Sequence, residues 1–277
     1  MCDSVYQGSF KSNLRIDVFY KIWKPKETKV NVVFCHGHSE HVSRYSDIFT
    51  RFSENGIKVL AFDQVGYGET GMKMNDLGGA RGAEQLLLDM TKAIYVIHKP
   101  GIPLFLMGHS FGGLGVLNYL SRGEKKELAH GGVTSDWEDI SRNKSVQEKL
   151  KSDPLVTFNS TLIQLSDLLL GCQRLIFDGY KSICVSNLLL AHGTNDAIIS
   201  HDAAVHVAEK LKTNDRIPNF EMKTLPGAYH DLMFEPDGDE LVSYFINWII
   251  TNASSAAATN QKSTAPPRKE IINPISD

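Results

Sequence analysis

The sequence has no apolar run near the roughly eighteen residues that span a bilayer, no internal repeat, and no cysteine pair at C-x-x-C spacing. Its four cysteines, Cys2, Cys35, Cys172 and Cys184, stand far apart. That argues against a disulfide framework and for a reducing compartment. Cys35 ends an apolar run and reads as a buried thiol. The opening MCDSVYQGSF is too polar for a secretory signal, so a cytoplasmic protein is expected. The N-x-S/T triplets at Asn143, Asn159 and Asn252 then read as chance matches. Basic charge is not in excess either: 29 Lys and Arg against 32 Asp and Glu leave a net charge of -3. A nucleic-acid partner is therefore not expected, and no cofactor is expected.

What the sequence does have is a repeated beat of short apolar strands and amphipathic helices. Leu14–Trp23 alternates and reads as an antiparallel strand beside VYQGSF. The valine-rich run Lys29–Cys35 and the run Ile57–Asp63 read as strands buried on both faces. Between them, Val42–Asn55 has helical spacing and stops at Gly56. A helix over Ala83–His98, a strand over Pro103–Met107 and a helix over Gly113–Leu120 continue the beat. It resumes with strand Asn187–Ala191, helix His201–Lys212, strand Phe220–Leu225 and helix Leu241–Ile250. This is the pattern of a mostly parallel sheet with helices on both faces. Residues 1–125 and 186–252 form its two parts, interrupted by an insertion at 126–185. Thr161–Phe177 in that insertion is strongly apolar and reads either as a lid helix or as a helix packed on the core. Ala253–Asp277 is Ser/Ala/Thr/Asn-rich and reads as a disordered tail.

The strand Pro103–Met107 runs into Met107-Gly108-His109-Ser110-Phe111-Gly112-Gly113, which is G-x-S-x-G between a strand and a helix. In that setting Ser110 is a candidate nucleophile, held at the tip of a sharp turn whose glycines avoid the crossing chain. A serine hydroxyl needs a base, and the base needs an orienting acid. Asp196 and His230 each follow a C-terminal strand, so they share the rim of the sheet with Ser110. Asp202 is the rival acid, but it reads better as a charge at a helix start. An oxyanion needs two backbone donors. The N–H of Phe111 and that of His38, in the loop His36-Gly37-His38-Ser39-Glu40-His41, are the candidates. The same H-G-H-x-x-H could suggest zinc, but the additional ligands such a site needs are not at suitable spacing, and no metal is expected.

HGHSEHVSRY, FDQVGYGET, GHSFGG, HGTND and PGAYH occur in that order. Together they resemble the monoacylglycerol lipase and lysophospholipase group of the α/β-hydrolases, over roughly residues 8–250. The resemblance implies an α/β-hydrolase fold with a cap, and hydrolysis of one acyl ester on glycerol or a glycerophospholipid. It also implies an apolar acyl tunnel and contact with a membrane or lipid-droplet surface. It lays Ser110, Asp196 and His230 on the group's triad, and His38 and Phe111 on its oxyanion positions. Phe111 stands where methionine is usual, Thr70 where serine is usual, and His38-Ser39 where two small residues are usual.

One departure is larger. After the elbow helix, the group runs through another buried strand before its cap. Here Leu128-Ala129-His130-Gly131 resembles the start of that strand, while Gly132-Val133-Thr134-Ser135-Asp136 resembles the middle of the cap. About thirty to forty residues are missing by this comparison, a strand and the first part of a cap. The expectation is that Asn187–Ala191 moves across to pair with Pro103–Met107, leaving His130–Asp136 as a loop. If the triad is instead pulled out of register, the chain is a non-catalytic remnant. A receptor for a small ester is a third reading.

Overall fold

The computed structural model describes residues 2–122 and 137–260. Strand β1 (Cys2–Lys11) and β2 (Asp17–Pro25) form an antiparallel hairpin, with Val5 opposite Trp23. Then come β3 (Val30–Cys35), α1 (Ser46–Glu54), β4 (Ile57–Phe62), α2 (Gly68–Lys73), α3 (Gly82–Ile97), β5 (Leu104–Gly108) and α4 (Phe111–Ser121). β2 lies antiparallel on β4, and β3 sits parallel between β4 and β5, giving the order β1-β2-β4-β3-β5. All six residues of β3 are buried, as expected for a strand covered on both faces. On one face, Phe49 and Phe52 of α1 pack against Val32 and Phe34. On the other, Leu86 and Met90 of α3 and Val116 of α4 pack against Val33 and Leu60.

The described part of the insertion is helical: α5 (Lys144–Ser152), α6 (Leu162–Arg174), a wider π turn over Leu175–Gly179, and the single turn α7 (Tyr180–Ser182). β6 (Asn187–Gly193), α8 (His201–Lys212), β7 (Asn219–Leu225) and α9 (Gly238–Asn260) complete the chain.

Two expectations are corrected here. First, β6 does not pair with β5. It runs parallel to β7 in a separate two-stranded sheet, from Asn187 opposite Asn219 to Gly193 opposite Leu225. Packing explains this. Leu188 and Leu190 are gripped by Leu175, Ile183, Leu211 and Ile217, and by Leu114, Leu117 and Leu120 of α4. Sliding β6 across by even one ladder spacing, about 4.8 Å, would break that cluster. His130–Asp136, expected as a loop, lies outside the described residues. Second, the chain does not lose its structure at Ala253. α9 continues to Asn260 through an alanine-rich stretch that favours helix, and Ala253 still packs in the core. Residues 261–277 lie outside the described residues.

Candidate active site

β3, β4 and β5 are mutually parallel, as are β6 and β7, and the loops at their C-terminal ends carry the candidate residues. Ser110 joins β5 to α4 with φ 51 and ψ −120, a left-handed conformation that a side chain pays to adopt. The turn leaves no room beside it. A Cβ on Gly108 would stand 2.4 Å from the carbonyl of Gly112, and one on Gly112 would stand 2.2 Å from the Cys35 carbonyl oxygen. This is the physical need behind G-x-S-x-G.

His230, after β7, reaches Ser110 with Nε2 at 2.8 Å from Oγ. Its Nδ1 is 2.8 Å from Oδ2 of Asp196, in the loop after β6. With the carboxylate accepting from Nδ1–H, Nε2 is free to accept the serine hydroxyl. Asp196 is itself fixed: its Oδ1 accepts from the amides of Ile198 and Ile199, each at 2.9 Å. Burial would raise its pKa. The His230 hydrogen bond and charge and these two amides outweigh burial and hold it below the usual range. Asp202 lies in the first turn of α8, beside the Ser200 side chain that caps that helix.

His38 and Ser110 line one small cavity of about 80 Å³. Phe111 opens α4, so its amide is among the first-turn donors that helical bonding leaves over. The His38 ring packs edge-on to Tyr67 and lies 2.6 Å from Ser39 Oγ. Burial lowers its pKa to about 4, so the ring at the mouth of the site is neutral at pH 7. The other histidines of that loop have structural partners. His36 Nε2 accepts from the Gln64 amide, and His41 Nε2 meets Asp153. Among the described residues, no three His, Cys, Asp or Glu side chains are placed to share a metal ion.

Sequence reasoning passed over a buried charged cluster beside the triad. Glu40 accepts from the Gly37 amide, the Tyr45 hydroxyl, His109 Nδ1 and Arg44. Arg44 also donates to Asp231 at 2.7 Å, and Asp231 stands 3.3 Å from His109 Nε2. Burial works against each charge, but the partners outweigh it. Arg44 and His109 hold Glu40 well below the usual carboxylate range, and Glu40 and Asp231 raise His109 to about 9. The cluster joins the loop of His38, the elbow and the loop of His230. The one local signal was Glu40 and Arg44 at i, i+4 spacing, a pattern more often found on a solvated helix face.

The chain matches the family described as serine aminopeptidase S33 over residues 26–135 and 125–237. It belongs to that family. The two matches meet just after α4, at the stretch where the sequence comparison finds residues missing. The monoglyceride lipase of Homo sapiens is 26% identical over 87% of this chain and 89% of its own length. The monoacylglycerol lipase of Mycolicibacterium smegmatis is 24% identical over 89% of this chain and 97% of its own. Each alignment has more positions, 285 and 280, than the whole 277-residue chain has residues, so both relatives carry residues that this chain lacks. A soluble variant of the monoglyceride lipase of Saccharomyces cerevisiae, solved with a substrate analogue, superposes with a TM-score of 0.73. It shares 19% identity over 91% of this chain and 98% of that one. The fold is that of the α/β-hydrolases.

Proposed function

We propose that this member of the family is a serine hydrolase that cleaves the acyl ester of monoacylglycerols or lysophospholipids through an acyl-enzyme. The observation that carries this is the unbroken line Ser110 Oγ–His230 Nε2, His230 Nδ1–Asp196, 2.8 Å at each step. His230 takes the hydroxyl proton as Ser110 Oγ attacks the ester carbonyl, and the amides of His38 and Phe111 receive the oxyanion. His230 then gives the proton to the departing alcohol oxygen. Water, deprotonated by His230, attacks the acyl-enzyme, and the carboxylic acid leaves with Ser110 restored. Asp196 holds His230 in the required tautomer. A remnant with a misaligned triad would have a long Ser110–His230 separation, and the 2.8 Å contact gives that reading no support.

Acyl esters are favoured over peptides by the surroundings. Glu40 and Asp231, the carboxylates lining the cavity above Ser110, are paired with Arg44 and His109, so neither is offered to a peptide's α-amino group. The names of the human and Mycolicibacterium smegmatis relatives point the same way. We further propose that residues 126–185 act as a reduced cap with peripheral contact to a lipid surface. Phe158, Leu162, Ile163, Leu169 and Phe177 form an exposed apolar set on it, and no described helix is long and apolar enough to cross a membrane. The test is hydrolysis of a monoacylglycerol, a lysophospholipid and an aminoacyl anilide by wild type and Ser110→Ala. The ester rates should fall by about a million-fold in the variant, and a fluorophosphonate should label wild type only. Equal rates in the two proteins, or cleavage of the anilide alone, would overturn the reading.

A further inference from the structure

Residues 153–164 of the insertion touch the loop of His38 and the turn at Tyr67, and their contacts are directed. The Thr157 amide donates to the Ser39 carbonyl at 3.2 Å. Asp153 Oδ2 stands 2.8 Å from His41 Nε2. Gln164, on the first turn of α6, accepts from the Tyr67 hydroxyl at 2.9 Å, and both side chains are buried. The Tyr67 ring in turn packs edge-on against His38, with ring centroids 5.6 Å apart, and against His36 at 6.2 Å. Tyr67 is itself held in place. It lies between Gly66 and Gly68, with φ 91 and 54. A Cβ on Gly66 would stand 2.5 Å from the Ala80 amide nitrogen, and one on Gly68 would stand 2.2 Å from the Asp63 carboxylate. The Gln64 amide donates to His36 Nε2 at 3.0 Å, which leaves Nδ1–H to donate to the Gly37 carbonyl at 2.7 Å. Gly37 leads to His38 and lies against the nucleophile: a Cβ there would stand 3.2 Å from Ser110 Cβ.

We propose that the insertion positions the oxyanion site: Tyr67, braced by Gln164, acts with Asp153 and Thr157 to hold the loop that presents the His38 amide. The proposal rests on the reading of Ser110 as the nucleophile and of the His38 amide as an oxyanion donor. The need for such a brace is physical. The Phe111 amide is fixed by its place at the start of α4, but the His38 amide belongs to a loop. A donor stabilises the transition state only if it already stands within hydrogen-bond reach of the developing oxyanion, and a misplacement of about 1 Å costs on the order of a hundred-fold in rate. The loop does not hold this shape by its own preference, since Ser39 has φ 69, a conformation costly for a residue with a side chain. Ring packing alone is non-directional, and the Tyr67–Gln164 hydrogen bond fixes where the ring stands. The Thr157 and Asp153 contacts grip the same loop one and three residues beyond His38. Tyr67, Gln164 and Asp153 act through the His38 backbone, and are therefore positioning residues.

The experiment uses the full chain, a soluble short-chain ester and the matching thionoester, in which sulfur replaces the carbonyl oxygen. Sulfur is larger and a weaker acceptor, so well-placed oxyanion donors favour the oxygen ester, and the ratio of the two kcat values reports their placement. Tyr67→Phe removes one hydroxyl and keeps the ring. It should lower kcat for the oxygen ester by about ten-fold with KM nearly unchanged, and lower the oxygen-to-sulfur ratio by a similar factor. Gln164→Met should do the same, and the double variant should be no worse than either single one, because both remove the same bond. Asp153→Ala, at the part-exposed contact with His41, should also lower the ratio. With Tm recorded for each protein, it decides the matter if a buried variant folds poorly. An unchanged ratio, including one that accompanies equal losses of rate on the two substrates, would overturn the positioning role and leave the hydrolase reading in place. No cleavage of either ester by wild type, together with no fluorophosphonate labelling of Ser110, would overturn that reading and the positioning role with it.

Discussion

Replacing Asp196 by Asn changes one atom, and the surroundings determine how that atom acts. Oδ1 of Asp196 accepts from the Ile198 and Ile199 amides. An asparagine placed with its NH₂ there would set a donor against two donors, so the amide oxygen must take that side. The NH₂ then faces His230 Nδ1, where Oδ2 stood at 2.8 Å. Imidazole can accept from that NH₂ only with its proton on Nε2, and Nε2–H points at Ser110 Oγ. A base that already holds its proton cannot take another, so the general-base step fails while every heavy atom keeps its place. The expected loss is about ten-thousand-fold in kcat, or about 5 kcal/mol of barrier. The backbone contacts of residue 196 survive, so Tm should move little. Asp202→Asn, on the first turn of α8 and away from this line, should retain nearly full activity. The assay is steady-state hydrolysis of a soluble short-chain ester, with Tm recorded for each protein. Activity of Asp196→Asn within ten-fold of wild type, or greater damage from Asp202→Asn, would refute the assignment of the acid.

The buried cluster makes stability depend on alkaline pH. His109 is raised to about 9 from an unfolded value near 6.5, so its contribution is complete below pH 6.5 and is lost as pH rises through about 9. That contribution is on the order of 3 kcal/mol, and His109→Asn should flatten the fall of Tm between pH 7 and pH 9.5; an equal fall in both proteins would contradict it. On α6, Leu162 and Leu169 are exposed, whereas Leu168 packs against the core. Leu162→Ser/Leu169→Ser should reduce binding to anionic vesicles at unchanged Tm, while Leu168→Ser should lower Tm; vesicle binding unaffected by the first pair would remove this face from any membrane contact. Inserting a family-like strand between Gly131 and Gly132 would bury four or five aliphatic residues worth about 6–15 kcal/mol, and should raise Tm by more than about 10 °C; an unchanged Tm would mean that no strand position stands open between β5 and β6.

Features governed by neighbours along the chain are legible in the sequence alone. Val30–Cys35 and Ile57–Phe62 are apolar but for Asn31 and Lys58, and both are strands in the buried middle of the sheet. Ser110 sits between glycines whose missing side chains the turn demands. Asp196 and His230 follow strands, and parallel strands deliver their following loops to one rim. What could not be read depends on distant residues. The pairing of β6 is decided by Leu211 and Ile217, more than twenty residues after Leu188, and by α4. Arg44 looks like a surface charge until Asp231, 187 residues later, closes on it. The apolar spacing of α6 indicated a helix without telling which face turns inward. Gln164, Ser166 and Gly171 are the buried ones, and Gln164 accepts from the Tyr67 hydroxyl.

The division of the described strands into two sheets raises a geometric problem that side chains solve. Ser110 follows a strand of the five-stranded sheet, and Asp196 and His230 follow strands of the two-stranded one, with no ladder between the two sheets among the described residues. A 2.8 Å contact across that gap needs other ties. α9 follows the loop of His230, and its Val242, Ile246 and Ile249 pack on the face of β3, beside Phe105 and Met107 of β5. α4 begins at Ser110, and its leucines lie in the same cluster as Leu188 of β6. Arg44 bridges the loop of His38 to Asp231, the residue after His230, and His109, the residue before Ser110, stands 3.3 Å from the same carboxylate. Each tie starts next to a triad residue and ends on the opposite sheet. Core packing sets the distance between the sheets, and the charged cluster sets the last ångström, where dispersion alone is too non-directional to do so. Arg44 ties the loop of His38 to the loop of His230 through Glu40 and Asp231, so Arg44→Ala should lower kcat toward a soluble short-chain ester, and an unchanged kcat would refute this tie.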